Sequence, residues 1–174
     1  CSLVQKDSKE TLPYRVLILT IMPPVWSMPP LTMKKYNVGI IGYGWAASAH
    51  IDAINKTKQG QVTAIYSSRK LDDAELTAKH GTPIKSYQNL DEMLANPDIH
   101  VVDISSYPSQ HRDQAIKAAN AKKHIILEKP MANSLQEVRE IVAAAKANGV
   151  KGCVCFECRF SNQFQVTKAL IDEG

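Results

Sequence analysis

Residues 38–50, VGIIGYGWAASAH, restrict the folds open to this chain more than any other stretch. An apolar, β-rich run passes into a tight glycine turn, and the turn passes into residues of helical character. Gly42, Gly44 and Ala47 stand at the spacing G-x-G-x-x-A, the pattern of a turn that holds dinucleotide phosphates between a first strand and a first helix. Each small residue has a physical task in that reading. Gly42 adopts backbone angles closed to other residues. Gly44 lets a pyrophosphate approach the main chain, and Ala47 lets the helix pack close to the strand. The opening residues of the helix, Trp45 and Ala46 with Ala47, turn free N–H groups and the positive end of the helix dipole toward the phosphates. A glycine turn that only joins a strand to a helix has the same spacing, but the flanking strand and helix signals favour phosphate binding.

From Met33 onward, strand and helix patterns alternate. Strands are expected at 36–41, 62–66, 99–105, 123–127 and 150–156, with a short extended piece near Ile84. Helices are expected at about 46–58, stopped by Gly60, and at 72–80, stopped by Gly81 and Pro83. A short helix at 92–95 is capped by Asn89 or Asp91. Further helices cover 109–121 and 164–171. A long helix follows Ser134, which forms a capping box with Glu137; it carries the stripe Leu135, Val138, Ile141, Val142 and Ala145 and ends at Asn148–Gly149. This alternation calls for a mostly parallel sheet covered on both faces. Right-handed crossovers then reduce it to the doubly wound, Rossmann-type α/β form.

Ligands of such a sheet lie beyond the C-terminal ends of its strands. After the second strand come Ser67, Ser68, Arg69 and Lys70, where an NAD enzyme usually places an acid for the ribose hydroxyls. Hydroxyls and a guanidinium suit a 2′-phosphate, which favours NADP over NAD and leaves use of both open; a solvated turn is the plain alternative. After the strand at 99–105 come Ser105, Ser106, Tyr107 and, four residues on, His111. This turn either faces the nicotinamide, with His111 at a helix start where the dipole disfavours its protonation, or is a packed turn with His111 as a local cap. After 123–127 come Glu128, Lys129 and Pro130. Lys129 can reach between cofactor and substrate, Glu128 can hold it by charge, and Pro130 allows a cis bond before it. A surface ion pair of little energetic weight is the alternative.

Cys153, Cys155 and Cys158 crowd one region, with Cys1 remote. This is no disulfide framework, and it fits a reducing, cytoplasmic setting. Three thiols fall short of the four spaced ligands of zinc. No metal is therefore expected, and Cys153 and Cys155 are assigned to core packing. The net charge of +4 is spread over dispersed lysines, unlike the basic stripe of a nucleic-acid binder. No apolar run reaches the roughly 18 residues of a membrane span. Neither nucleic acid nor a membrane is expected as a partner. Residues 1–32 break the pattern: an apolar run at 16–22 is followed by two Pro-Pro pairs, and no signal-peptide cleavage site follows. They read as an extension outside the fold, with an export or anchoring segment as the alternative.

Taken together, GIIGYGWAASAH, ISSYPSQH, HIILEKPMANS and FECRFSNQF resemble the motifs of the glucose-fructose oxidoreductase, inositol dehydrogenase and rhizopine-catabolism family of NAD(P)-dependent oxidoreductases. The E-K-P block at Glu128–Lys129–Pro130 is the most specific of them. The resemblance implies a dinucleotide-binding domain at 33–157. Residues 158–174 would open a C-terminal domain that binds a sugar, cyclitol or related polyol and forms the face of a homo-oligomer. It implies that Lys129 contacts substrate and cofactor at the site of hydride transfer, while an Asp/His pair of the second domain handles the proton. Tyr107 stands where the family usually has proline, and Ser67 where it usually has an acid. The chain stops at Gly174, where that second domain is expected, so it reads as a fragment not active alone. A non-catalytic dinucleotide sensor is the alternative; weak binding by the isolated chain is a third possibility.

Overall fold

The computed structural model describes residues 35–174, so the expectation for residues 1–32 lies outside them. Within 35–174, six strands form one sheet: β1 (Tyr36–Ile41), β2 (Gly60–Tyr66), β3 (Lys85–Tyr87), β4 (Val101–Ile104), β5 (His124–Glu128) and β6 (Gly152–Cys155). Their order is β3-β2-β1-β4-β5-β6, and every pairing is parallel. The helices are α1 (Trp45–Lys56), α2 (Asp73–His80), α3 (Leu90–Ala95), α4 (Pro108–Asn120), α5 (Leu135–Asn148) and α6 (Asn162–Glu173), with a 3-10 turn at Glu157–Phe160. This is the expected doubly wound α/β unit. The strand order reverses between β1 and β4, which opens a crevice at the C-terminal ends of those strands.

Alternation along the strands makes two cores. Val38, Ile40, Val62 and Ile65 face Ala47 and Ile51 of α1 and Leu76 of α2. Ile41, Ala64, Val102, Ile104, Ile125 and Leu127 face Met93 and Leu94 of α3, Ala115, Ala118 and Ala119 of α4, and Ile141 of α5. Each fully buried isoleucine or leucine contributes about 1.5–3 kcal/mol by leaving water. Ala47 is fully buried, in keeping with the close helix–strand packing its size allows.

Helix ends follow local chemistry. Asp72 accepts from the N–H groups of Ala74 and Glu75 to start α2, Asn89 accepts from those of Asp91 and Glu92 to start α3, and Ser134 accepts from that of Glu137 to start α5. Gly81 and Gly149 end α2 and α5 in the left-handed conformation.

Several expectations need correction. Gly60 does not stop α1, which ends at Lys56 with Thr57 as its cap. Gly60 opens β2, where a Cβ would lie 3.0 Å from the Ile54 side chain. The stripe on α5 is narrower than its periodicity implies: Ile141 is buried, but Leu135 and Val142 are exposed. Cys153 is exposed and Cys155 half-buried rather than packed in a core. Their strand is the sheet edge, and beside it Val101, Ile126 and Cys153 line an open groove on the side that faces α1. Among the described residues no helix is long and apolar enough to cross a membrane.

Candidate dinucleotide site

Backbone hydrogen bonds tie together the strand ends that build the crevice. Gly42 N–H donates to the Tyr66 carbonyl (2.9 Å), Ser105 N–H to that of Ile41 (2.9 Å), and Ser67 N–H to that of Tyr87 (3.1 Å). The crevice, roughly 680 Å3, is lined by Gly42, Gly44, Trp45, Ala46, Ser67, Ser68, Arg69, Ser105, Ser106 and Tyr107, all singled out from the sequence. Tyr43, Tyr66, Gln110 and Gln114 also line it and were missed.

The two glycines are used differently. Gly42 has φ +94°, and a Cβ on it would lie 3.0 Å from the main chain of Ser106, so the β1 and β4 turns touch there. Gly44 has open space where a Cβ would stand, and that space belongs to the crevice. No side chain caps the N-terminus of α1 and no acid lies in its first turn, in contrast to α2, α3 and α5. Its first N–H groups therefore face the crevice without a protein acceptor, as an anion site requires. This set of donors fits a pyrophosphate. The helix that opens on the other flank, α4, also lacks a side-chain cap and begins with Pro108.

At the β2 end, Ser67 is buried and its hydroxyl accepts from the Arg69 N–H (3.1 Å), which shapes the turn. The Arg69 guanidinium reaches back across the glycine turn to the Tyr43 carbonyl (2.7 Å). Tyr43 in turn takes a hydrogen bond from the Lys79 ammonium (3.1 Å) and meets His80 Nε2 (3.0 Å). Trp45 and Tyr107 stand exposed at the rim, at 87% and 78%. The Ser106 hydroxyl donates to Gln114, which holds the β4 turn to α4.

His111, Glu128 and Lys129 lie outside that lining. His111 is fully buried, its Nδ1 donating to the Pro130 carbonyl (2.9 Å) and its Nε2 lying 3.2 Å from the Ser106 carbonyl. It ties the β4 turn to the Pro130 carbonyl and does not cap the start of α4. The Lys129–Pro130 bond is cis. Glu128 does not hold the Lys129 ammonium. Its Oε1 takes a hydrogen bond from His50 (3.0 Å), its Oε2 accepts the Lys129 main-chain N–H (3.0 Å), and the Lys129 ammonium lies 3.5 Å from Glu157 instead. Glu128 is the last residue of β5, and its carboxylate is turned to His50 of α1 and to the Lys129 main chain rather than to the ammonium.

The partner of Glu128, His50, was missed, as was Asp103. His50 Nδ1 meets the buried Asp103 carboxylate at 2.7 Å, and Asp103 also accepts from the Ser105 hydroxyl (2.6 Å). The Asp103 hydrogen bond, aided by the charges of Asp103 and Glu128, lifts the His50 pKa above the ordinary histidine value against the opposing effect of burial. The donor atoms of His50, Glu128 and Cys155 all lie within 4.8 Å of one another. Burial, with nearby negative charge, pushes the Cys155 thiol up to about 12. With a carboxylate at each ring nitrogen, His50 is placed to keep its proton.

Residues 36–156 match the model of an oxidoreductase family with an NAD-binding Rossmann fold. The chain belongs to the Gfo/Idh/MocA oxidoreductase family. It is 38% identical over 138 residues to an uncharacterized oxidoreductase of Synechocystis sp., covering 79% of this chain and 37% of that one. It is 33% identical over 129 residues to scyllo-inositol 2-dehydrogenase (NADP(+)) IolU of Bacillus subtilis, covering 74% and 39%. Among solved structures in the Gfo/Idh/MocA group, scyllo-inositol dehydrogenase of Lactobacillus casei with bound NAD(H) and scyllo-inositol superposes with a TM-score of 0.69 at 27% identity, over 81% of this chain and 42% of that one. The chain thus spans about two fifths of the length of these relatives.

Proposed function

We propose that this chain is the cofactor-binding part, residues 33–157, of a cytoplasmic NAD(P)-dependent oxidoreductase that acts on a CH–OH group of a sugar, cyclitol or related polyol. Residues 158–174 then lead into the part that binds substrate and forms the oligomer. The observation that carries the reading is the uncapped N-terminus of α1, opening beside Gly44 onto the crevice at the strand reversal. The N–H groups of Trp45, Ala46 and Ala47 hold the pyrophosphate. Ser68 and Arg69 hold the 2′-substituent of the adenosine ribose, and the Ser105–Tyr107 turn flanks the nicotinamide. When bound, the dinucleotide gives or takes a hydride. The half-exposed Lys129 ammonium orients the substrate hydroxyl, and the proton leaves to a base in the portion of the family's length that this chain does not span.

NADP is favoured over NAD because the end of β2 carries Ser67, Ser68 and Arg69 rather than an acid, and Arg69 is already held at the glycine turn. No observation favours the sensor alternative. The test is a titration of the purified chain with NADPH and NADH, read by energy transfer from the rim tryptophan, Trp45, to the reduced nicotinamide. Saturable binding with NADPH the tighter ligand is expected. Binding of neither overturns the reading, and equal affinity overturns the NADP preference.

A further inference from the structure

His50 and His111 sit on helices at opposite faces of the sheet, α1 and α4, yet both end at the lip of β5. Their contacts close a circuit. From His50, Nε2 leads to Glu128 Oε1 (3.0 Å), and Glu128 Oε2 accepts from the Lys129 N–H (3.0 Å). The chain passes through Lys129 to the Pro130 carbonyl, which accepts from His111 Nδ1 (2.9 Å), and His111 Nε2 faces the Ser106 carbonyl (3.2 Å). Ser105, next in the chain, donates to Asp103 Oδ1 (2.6 Å), and Asp103 Oδ2 returns to His50 Nδ1 (2.7 Å). Lys129 is thus the one residue of the circuit whose charged end is turned outward, 51% exposed, toward Glu157.

We propose that His50, in its imidazolium form, is a positioning residue for Lys129: by clamping the Asp103 and Glu128 carboxylates it fixes the β5 lip from one side while His111 fixes it from the other. The role assigned to Lys129 rests on the oxidoreductase reading above; the circuit does not. An imidazolium suits the place. A neutral ring donates through one nitrogen only and would leave either Asp103 Oδ2 or Glu128 Oε1 without the ring donor, so that each carboxylate's remaining donor, Ser105 or the Lys129 N–H, acts on its other oxygen alone. The groups facing His50 are Asp103 and Ser105 at the end of β4, Glu128 of β5 and the Cys155 thiol of β6. The thiol stays neutral around the histidine range, so the imidazole is the group there that changes charge as pH rises through neutrality. Deprotonation removes one donor, frees one Glu128 contact, and loosens the carboxylate that holds the Lys129 N–H.

The experiment is a pH titration of the 15N-labelled chain by NMR, following the His50 ring nitrogens and the amides of Lys129 and Ser105. In the wild type, all three move with one midpoint, above the free-histidine value of about 6.5. In Glu128→Gln the Lys129 amide loses its dependence while Ser105 keeps it, and in His50→Gln both lose it. A Lys129 amide that stays flat through the His50 transition, or that titrates unchanged in Glu128→Gln, overturns the proposal. The two readings fail separately. Linked titration in a chain that binds neither dinucleotide supports the brace and refutes the cofactor reading; tight NADPH binding with a flat Lys129 refutes the brace alone.

Discussion

The two glycines of the β1–α1 turn should respond to the same substitution in opposite ways. Gly42 lies at φ +94°, and its added Cβ would meet Cα and N of Ser106 at 3.0 Å and the Ser105 carbonyl carbon at 3.1 Å. All three are main-chain atoms, and Ser105 N–H is bound to the Ile41 carbonyl at 2.9 Å, so the β4 turn cannot simply retreat. Positive φ in a non-glycine residue costs about 1–3 kcal/mol, and an overpacked contact adds about 1–3 kcal/mol more. Against a total stability of about 5–15 kcal/mol, Gly42→Ala should lower Tm by on the order of 10 °C and carry NADPH binding down with it. Gly44 has ordinary backbone angles and nothing within 4 Å of an added Cβ. Gly44→Ala should therefore leave stability within about 0.5 kcal/mol, yet weaken NADPH at least about tenfold, a loss of about 1.4 kcal/mol, because the methyl occupies the crevice. Thermal denaturation and the tryptophan-to-NADPH titration measure the two effects independently. A Gly42→Ala chain as stable as wild type, or a Gly44→Ala chain that binds as well as wild type, would refute the division of labour argued from the turn.

Four other outcomes are expected. His50 binds its proton more tightly in the folded chain, chiefly through Asp103. Its contribution to stability is therefore complete below the unfolded value of about 6.5 and is lost as pH rises through the raised folded value; Tm should fall across that window, and an equal slope in His50→Gln would assign the fall to another group. Asp72→Ala removes the acceptor of the Ala74 and Glu75 N–H groups and should cost about 1 kcal/mol by denaturant titration, with Asp72→Asn close to wild type. Lys123 is buried and donates to the carbonyls of Asn96 (2.7 Å) and Ile99 (2.8 Å). Lys123→Met should cost about 1–3 kcal/mol by leaving both short of a donor, and a neutral result would mean that water reaches them. Arg69→Ala should weaken NADPH more than NADH, and a parallel loss of both would confine Arg69 to supporting the Tyr43 turn.

The fold was legible because its signals are local. Capping side chains at Asn89 and Ser134, glycines beyond α2 and α5, and apolar runs of strand length all act within a few residues. The errors arose where the outcome depends on what lies opposite in space. Leu135 and Val142 share the helical period of Ile141, but exposure is decided by how far the α4–α5 contact extends. Cys153 and Cys155 sit on a strand of core-like composition, but that strand is the edge of the sheet. The lining residues Tyr43, Gln110 and Gln114 stand at positions that the spacing rules leave free.

The same distinction explains why the glycine turn at the crevice could be read and the contacts around Lys129 could not. The turn is one continuous segment whose chemistry is main-chain N–H and small size, so spacing alone encodes it. The support of Lys129 joins residues 50, 103, 105, 111, 128 and 130, brought together only once β4 and β5 pair in register and α1 and α4 cross their ends. One signal did exist. His50 closes the glycine segment three residues after Ala47, one helical turn on and thus near the same face. Ala47 packs inward on the sheet, so a polar residue one turn later is carried over the neighbouring strand ends, where Asp103 and Glu128 receive it. A polar residue in the apolar strand VVDI is the matching signal. A histidine one turn past a buried alanine and an aspartate inside a buried strand are a matching pair of signals, because the buried Asp103 carboxylate needs donors and His50 supplies one of them.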